Sequence, residues 1–232
     1  MASRKPPATP LATGEAPGLT AILRWPSIGA RRWIERALPQ LRSDSNTAAL
    51  VAIGSAVREV AISADLDLVL IYDGRKPILE TPPVDVDLRE YRLVDVECLI
   101  DRGEELLGCA VQFGRVVYER AEVWSSIVRR MRGRVPNPSS TAALERARRA
   151  RSVFQDLLAV GDEDAAREQL VTMLTHLARA RLLQVGVYPK SRPELPAQLR
   201  QVGETKLANE VEDALQERRP LSVLFSEATV AF

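Results

Sequence analysis

Residues 48–55 read AALVAIGS and residues 65–74 read DLDLVLIYDG, and these two stretches decide the fold. The first is short, apolar, partly β-branched and stopped by Gly54, which predicts a buried strand. In the second, apolar side chains fall on both faces from Leu66 onward, which predicts a central strand. Asp73 and Gly74 form a turn signal that ends it. The chain is therefore expected to build a sheet around these two strands.

Two carboxylates open the second strand. Asp65 and Asp67 stand at positions i and i+2, so on a strand they point to the same face, close enough to share divalent cations. Without a cation the pair would repel itself and the pKa of one carboxyl would rise. Oxygen-only ligands favour Mg²⁺ or Mn²⁺. Before them, glycine at 54 permits close approach of the backbone, and exposed N–H groups with the Ser55 hydroxyl suit phosphate oxygens.

A further acidic stretch follows at residues 84–91, which read VDVDLREY. Alternation predicts a strand with Asp85, Asp87 and Arg89 on one face. Residues 94–100, 104–113 and 121–131 have helical character, and a short strand is expected at 115–118. The first half is therefore predicted to mix strands and helices.

The Gly54-Ser55 turn, nine further residues and then Asp65-Leu66-Asp67 on an apolar strand resemble the signature of the DNA-polymerase-β-type nucleotidyltransferases. The resemblance is closest to the minimal nucleotidyltransferases and covers residues 48–119. It implies a small mixed sheet flanked by helices. The chain departs from the family pattern at Glu59, where glycine is frequent, and at Ala64, where serine is frequent.

The resemblance also implies a two-metal phosphoryl transfer. Two Mg²⁺ ions would be held by Asp65, Asp67 and a third carboxylate, for which Asp87 is favoured and Asp85 stays open. The substrate would be a nucleoside triphosphate, in such families most often ATP. A nucleoside monophosphate would pass to a hydroxyl of a protein or small molecule. The residues expected to bind nucleotide phosphates are Gly54, Ser55 and Arg58. The alternative is a catalytically degenerate regulator or antitoxin-like binding protein.

The second half is predicted to be all-α, which makes the whole chain α+β. The expected organisation is a disordered leader at 1–18, a nucleotidyltransferase domain at 19–132, a linker at 133–140, a helical bundle at 141–216 and a tail at 217–232. The bundle resembles the HEPN-like or substrate-binding helical domains that accompany these enzymes. Val171 stands five before His176, where active HEPN ribonucleases carry arginine, so RNase activity is not expected.

Composition excludes some partners. The 32 Lys and Arg balance 31 Asp and Glu, so net charge gives no general argument for nucleic acid, although a basic run near the linker (Arg146, Arg148, Arg149 and Arg151) leaves RNA as the weakest alternative. No secretory signal or membrane span is predicted. Cys98 and Cys109 are expected to be buried thiols, in keeping with a cytoplasmic protein. Apolar residues at 221–225 leave a homodimer open.

Overall fold

The computed structural model describes residues 18–58 and 64–217. The predicted leader, apart from its last residue, and the predicted tail, apart from its first, lie outside these residues. The same holds for Glu59 and for the apolar residues at 221–225.

A four-stranded mixed sheet forms the centre of the first half. Its strands are β1 (Thr47–Ile53), β2 (Leu66–Tyr72), β3 (Val86–Arg92) and β4 (Arg115–Glu119), in the spatial order β3-β2-β1-β4. β1 pairs antiparallel with β2 and β4, and β2 pairs parallel with β3. Every residue of β1 is buried, as its apolar sequence predicts for a strand covered on both faces.

Helices cover both faces of the sheet. Helix α1 (Ile28–Ser43), capped by the Ser27 hydroxyl, packs on the face that carries the leucines of β2. Helices α2 (Leu93–Asp101), α3 (Glu105–Phe113) and α4 (Val123–Met131) cover the other face. Asp67 lies in β2 between two leucines that face α1, so its side chain points to the α3 side.

The second half is a set of helices with its own core. Helices α5 (Ser140–Ala159) and α6 (Glu163–Gln184) form the main contact, and α7 (Leu195–Gln201) and α8 (Thr205–Leu215) pack against α6. The side chains of Ser139 and Asp162 cap the N-termini of α5 and α6, respectively. The predicted α+β class, a small mixed sheet flanked by helices and followed by helices alone, is confirmed.

Two local predictions were wrong. The strand expected over 84–91 begins at Val86, because the chain turns first and the Val86 N–H donates to the carbonyl of Pro83. Cys98 is exposed rather than buried.

The helices of the second half dock on the N-terminal end of α3. The Tyr188 hydroxyl donates to the Glu105 carbonyl oxygen at 3.1 Å. The Glu105 carboxylate pairs with Arg146 of α5 at 2.8 Å and with Arg179 of α6 at 3.3 Å. Because α3 covers the Asp67 face of the sheet, this docking brings α6 to the side of the sheet from which Asp67 projects.

In the part of the chain that the structure describes, no helix is both long enough and apolar enough to cross a membrane.

Candidate functional site

Near the start of β2, the carboxylates of Asp65 and Asp87 lie within electrostatic reach of the Asp67 carboxylate. Asp67 of β2 stands directly opposite Asp87 of β3 in the parallel ladder, so the two side chains share one face of the sheet. Asp65 precedes Asp67 by two residues and is exposed. Asp85, the alternative third carboxylate, precedes β3, and its carbonyl oxygen accepts from the Leu66 N–H. The register therefore brings Asp87, rather than Asp85, next to Asp67.

The electrostatics of Asp67 record this crowding. Burial, and then the negative charges of Asp65 and Asp87, raise the pKa of the Asp67 carboxyl from 3.8 to about 6. Arg89 and Arg179 act in the opposite direction without cancelling the effect. Three carboxylates whose charges act on one another in a partly buried place form a site in which a cation removes an electrostatic penalty.

Gly54 is built against this cluster. It ends β1 next to Ile53, which is the β1 partner of Asp67, and it adopts the left-handed φ of +73°. A Cβ atom at this position would collide with the Oδ2 atom of Asp67. Both the backbone angle and the space therefore require glycine. Ser55 follows in the 3-10 turn and is half-buried.

Arg89 accompanies the carboxylates on β3. Its Nε lies 2.9 Å from Asp87 Oδ1. The pair is largely exposed, so it is easily screened and easily rearranged. Asp87 is therefore not committed to a fixed buried partner.

Arg58 is engaged by the helical half. Its Nε lies 3.2 Å from both carboxylate oxygens of Glu194, and its Nη2 lies 2.9 Å from Oε1. The guanidinium also sits 5.1 Å from the centre of the Phe113 ring. Both charged side chains are about one-fifth exposed, at 21% and 19%. The residue expected to contact phosphate thus holds the two halves together in this conformation.

A small recess with room for about one water molecule lies between Gly54 and this ion pair. Cys109 and Phe113 of α3 line one side of it, and Lys190 and Ser191 of the helical half line the other. Burial, the largest effect, raises the pKa of the Cys109 thiol to about 11, and the charges of Asp67 and Arg58 both act on it. The recess therefore adjoins the carboxylates at one end and Arg58 at the other.

Arg179 of α6 is a residue that sequence reasoning missed. Its positive charge lowers the pKa of Asp67, and its Nε is buried without a hydrogen-bond partner among the described residues. Its Nη1 donates to Glu105 Oε1 at 3.3 Å. The signal available in the sequence was that His176 and Arg179 stand one turn apart in a helix whose neighbouring positions are mostly apolar.

His176 lies one turn before Arg179 on α6, in the region where the helical half docks on α3. Burial, and then the charges of Arg179 and Arg146, lower the pKa of its imidazole from 6.5 to about 4, so it is neutral near pH 7. Its Nδ1 is buried without a partner among the described residues. Its imidazole is therefore an uncharged group among the arginines where the helical half docks on α3.

The donor set at the carboxylates fits Mg²⁺. No group of three or more His, Cys, Asp and Glu side chains stands ready to enclose a metal ion in residues 18–58 and 64–217. Mg²⁺ does not require such a cage, because it is usually bound by one or two carboxylates together with substrate phosphates and water. A cation bound there would offset the repulsion from Asp65 and Asp87 that, together with burial, raises the pKa of Asp67.

Comparisons with known proteins give a limited picture. No protein-family model matches the chain, and no curated protein matches it. Among solved structures, the chain is similar to a nucleotidyltransferase-like protein from Exiguobacterium sibiricum 255-15, with a TM-score of 0.43 and 16% identity, over 88% of this chain and 73% of that one. Any functional assignment therefore depends on the geometry of the carboxylates.

Proposed function

We propose that this protein is a Mg²⁺-dependent nucleotidyltransferase that transfers a nucleoside monophosphate, with AMP from ATP as the first expectation, to a hydroxyl of a protein or small molecule. The observation that carries the proposal is the juxtaposition of Asp67 with Asp87 on one side and with Gly54 on the other. Carboxylates beside a tight glycine turn offer cation ligands next to backbone N–H groups that suit phosphate oxygens.

The reaction would proceed by in-line displacement. Asp65, Asp67 and Asp87 would hold Mg²⁺, which supplies charge neutralisation on the attacking and leaving oxygens when bound. The acceptor oxygen attacks the α-phosphorus, its proton passes toward Asp87, and the bond to the β-phosphate oxygen breaks, which releases pyrophosphate. Asp87 suits the proton because its partner Arg89 is exposed and can move away.

The remaining residues would bind the nucleotide and the acceptor. Gly54 and Ser55 would offer backbone N–H groups and a hydroxyl to the phosphates, and Arg58 would contribute a charge. The helical half borders the carboxylates through Arg179, which supports a substrate-binding role for it. We expect such an enzyme to work in the cytoplasm, where its nucleotide is available.

A degenerate, partner-binding relative is the second candidate. The observation that favours it is that Arg58 already pairs with Glu194 through three hydrogen bonds. In that case the ion pair would be a permanent part of the fold, and the carboxylates would be remnants.

Nucleotide binding separates the two candidates. Calorimetry with each of the four nucleoside triphosphates, with and without Mg²⁺, should detect Mg²⁺-dependent binding to the wild type and none to Asp65→Ala/Asp67→Ala. Asp73→Ala is the matched control, since Asp73 is exposed beyond the other end of β2. Absence of binding to folded wild-type protein would favour the partner-binding candidate.

Arg179→Gln should change the affinities for cation and nucleotide in opposite directions. Loss of a positive charge beside Asp67 should tighten Mg²⁺ alone and weaken the anionic nucleotide, each by about three- to tenfold. Arg181→Gln is the control, because Arg181 lies on another side of α6 and contacts Gln184. Titrations of both ligands by calorimetry test the prediction, and a loss of affinity for both would contradict it.

A further inference from the structure

Glu194 sits in a cradle formed by the cations Arg58 and Lys190 and by the hydroxyl of Ser191. Besides its bidentate contact with Arg58, its Oε2 accepts from the Ser191 hydroxyl at 2.6 Å, and the Lys190 ammonium lies 3.6 Å from Oε1. Two cations and a hydroxyl around one carboxylate resemble, in their chemistry, the groups that proteins use to bind a phosphate. The cradle therefore carries one more positive charge than its internal anion.

The cradle is held in place by buried contacts. Gln198 is 7% exposed, and it accepts from the Lys190 N–H at 2.8 Å while donating to the Tyr188 carbonyl oxygen at 3.0 Å. The Tyr188 ring packs edge-on against Phe113 at 5.8 Å, and Phe113 in turn carries the Arg58 guanidinium. The segment with Lys190 and Ser191 is thus fixed from behind, so the groups around Glu194 are preorganised.

The cradle also opens toward the carboxylate cluster. Lys190, Ser191 and Arg58 line the same recess as Gly54, and Gly54 touches Asp67. The recess has room for about one water molecule, so a ligand with a phosphate near Asp67 and further phosphates beyond it would need the space that Glu194 now fills. Its anionic end would then arrive where Glu194 now lies.

Glu194 is a tightly held anion in its own right. Burial alone would raise the pKa of its carboxyl, but the hydrogen bonds from Arg58 and Ser191 outweigh burial and lower that pKa. Glu194 is therefore ionised near pH 7, and its full negative charge competes with other anions for Arg58 and Lys190.

We propose that Glu194 is an internal competitor for the phosphate tail of the nucleotide, occupying the cradle of Arg58, Lys190 and Ser191 until the β- and γ-phosphates displace it. This inference rests on the proposed nucleotidyltransferase function and goes beyond it. Since Glu194 belongs to the helical half and Arg58 to the sheet half, nucleotide binding replaces one of the ion pairs between the halves with a phosphate that both halves hold. Occupancy of the nucleotide site and docking of the helices are thereby coupled.

Glu194→Gln tests the competition. Glutamine keeps the size and one acceptor oxygen but removes the charge, so Mg²⁺-ATP should bind about three- to tenfold more tightly than to the wild type. The gain should disappear when Arg58→Ala is added, because the contested cation is then gone. Glu212→Gln is the matched control, since Glu212 pairs with Arg200 within the helical half and should leave affinity unchanged.

A second probe identifies the part of the ligand that is sensed. AMP carries no β- or γ-phosphate, so its affinity should be equal in the wild type and Glu194→Gln. Glu194→Ala, which removes the carboxylate altogether and leaves Arg58, Lys190 and Ser191 in place, should give a gain for Mg²⁺-ATP in the same direction, and it serves if Glu194→Gln does not fold.

Each outcome has a distinct meaning. Equal or weaker Mg²⁺-ATP binding by Glu194→Gln and Glu194→Ala, with the wild type binding normally, would overturn the competition and leave the proposed function standing. A gain that is as large for AMP as for Mg²⁺-ATP would also overturn it. Failure of every variant and of the wild type to bind any nucleotide would overturn the proposed function, and the competition with it.

Discussion

Asp67→Asn is expected to abolish nucleotide transfer and, at the same time, to stabilise the metal-free protein at neutral pH. The stabilisation follows from the raised pKa of about 6. Between about pH 4 and 6 the folded state holds this proton more tightly than the unfolded state, so the stability contributed by the group falls as pH rises through that window. Above it, the ionised carboxylate penalises the fold by about 2–3 kcal/mol.

Urea unfolding in EDTA measures this effect directly. The mutant should exceed the wild type by about 1–3 kcal/mol at pH 7.5, since asparagine carries no charge to bury, and the difference should shrink toward pH 4. Asp73→Asn, at the exposed end of the same strand, should show no such dependence. A mutant less stable than the wild type at pH 7.5, or a difference that pH does not change, would contradict the expectation.

Mg²⁺ should reverse the order of stability. A ligand that binds the folded state alone stabilises it by an amount that grows with the logarithm of its concentration relative to its Kd, so Mg²⁺ should raise the melting temperature of the wild type but not that of Asp67→Asn. Turnover with a natural acceptor should fall at least about a hundredfold in the mutant, because a charge that positions the phosphoryl group is lost. A mutant that kept normal turnover would exclude Asp67 from the reaction.

The part of the site that is local in sequence could be predicted from the sequence. Asp65 and Asp67 follow the period of two along a strand, and Gly54 marks the end of the preceding strand, so these positions depend on short-range rules alone. The choice between Asp85 and Asp87 could not be made in this way, since it depends on where β3 begins. A turn at Pro83 sets that start and brings Asp87 opposite Asp67.

The part of the site that depends on docking could not be predicted. Arg58 meets Glu194, 136 residues further along the chain, and no periodicity in either segment signals the other. His176 and Arg179 stand one turn apart on α6, but this spacing does not indicate a partner, and only the packing of α6 against α3 brings Arg179 within reach of Asp67. Long-range contacts of charged side chains carry no local sequence pattern, so they are visible only in the folded chain.

Gly54→Ala is expected to damage the site more than the fold. Alanine must adopt φ of +73°, which costs about 1 kcal/mol in backbone strain, and its methyl group must displace the Asp67 carboxylate that now touches the glycine. Movement of Asp67 away from Asp87 should weaken Mg²⁺-dependent nucleotide binding at least about tenfold, since cation ligands must stay within a few tenths of an ångström. Calorimetry and urea unfolding measure the two effects separately.

Gly161→Ala is the control that separates the backbone strain of a positive φ from the collision with the Asp67 carboxylate. Gly161 has a nearly equal φ of +78° in the turn between α5 and α6, and nothing lies within 4 Å of the position of its added Cβ. It should therefore lose about 1 kcal/mol of stability and keep full nucleotide affinity. In an Asp67→Ala background, Gly54→Ala should cost no more than this control, because the colliding carboxylate is gone and the two effects are coupled only through that contact. An equal cost of Gly54→Ala in both backgrounds would mean that glycine serves the turn alone, and that the nucleotide site does not depend on its closeness to Asp67.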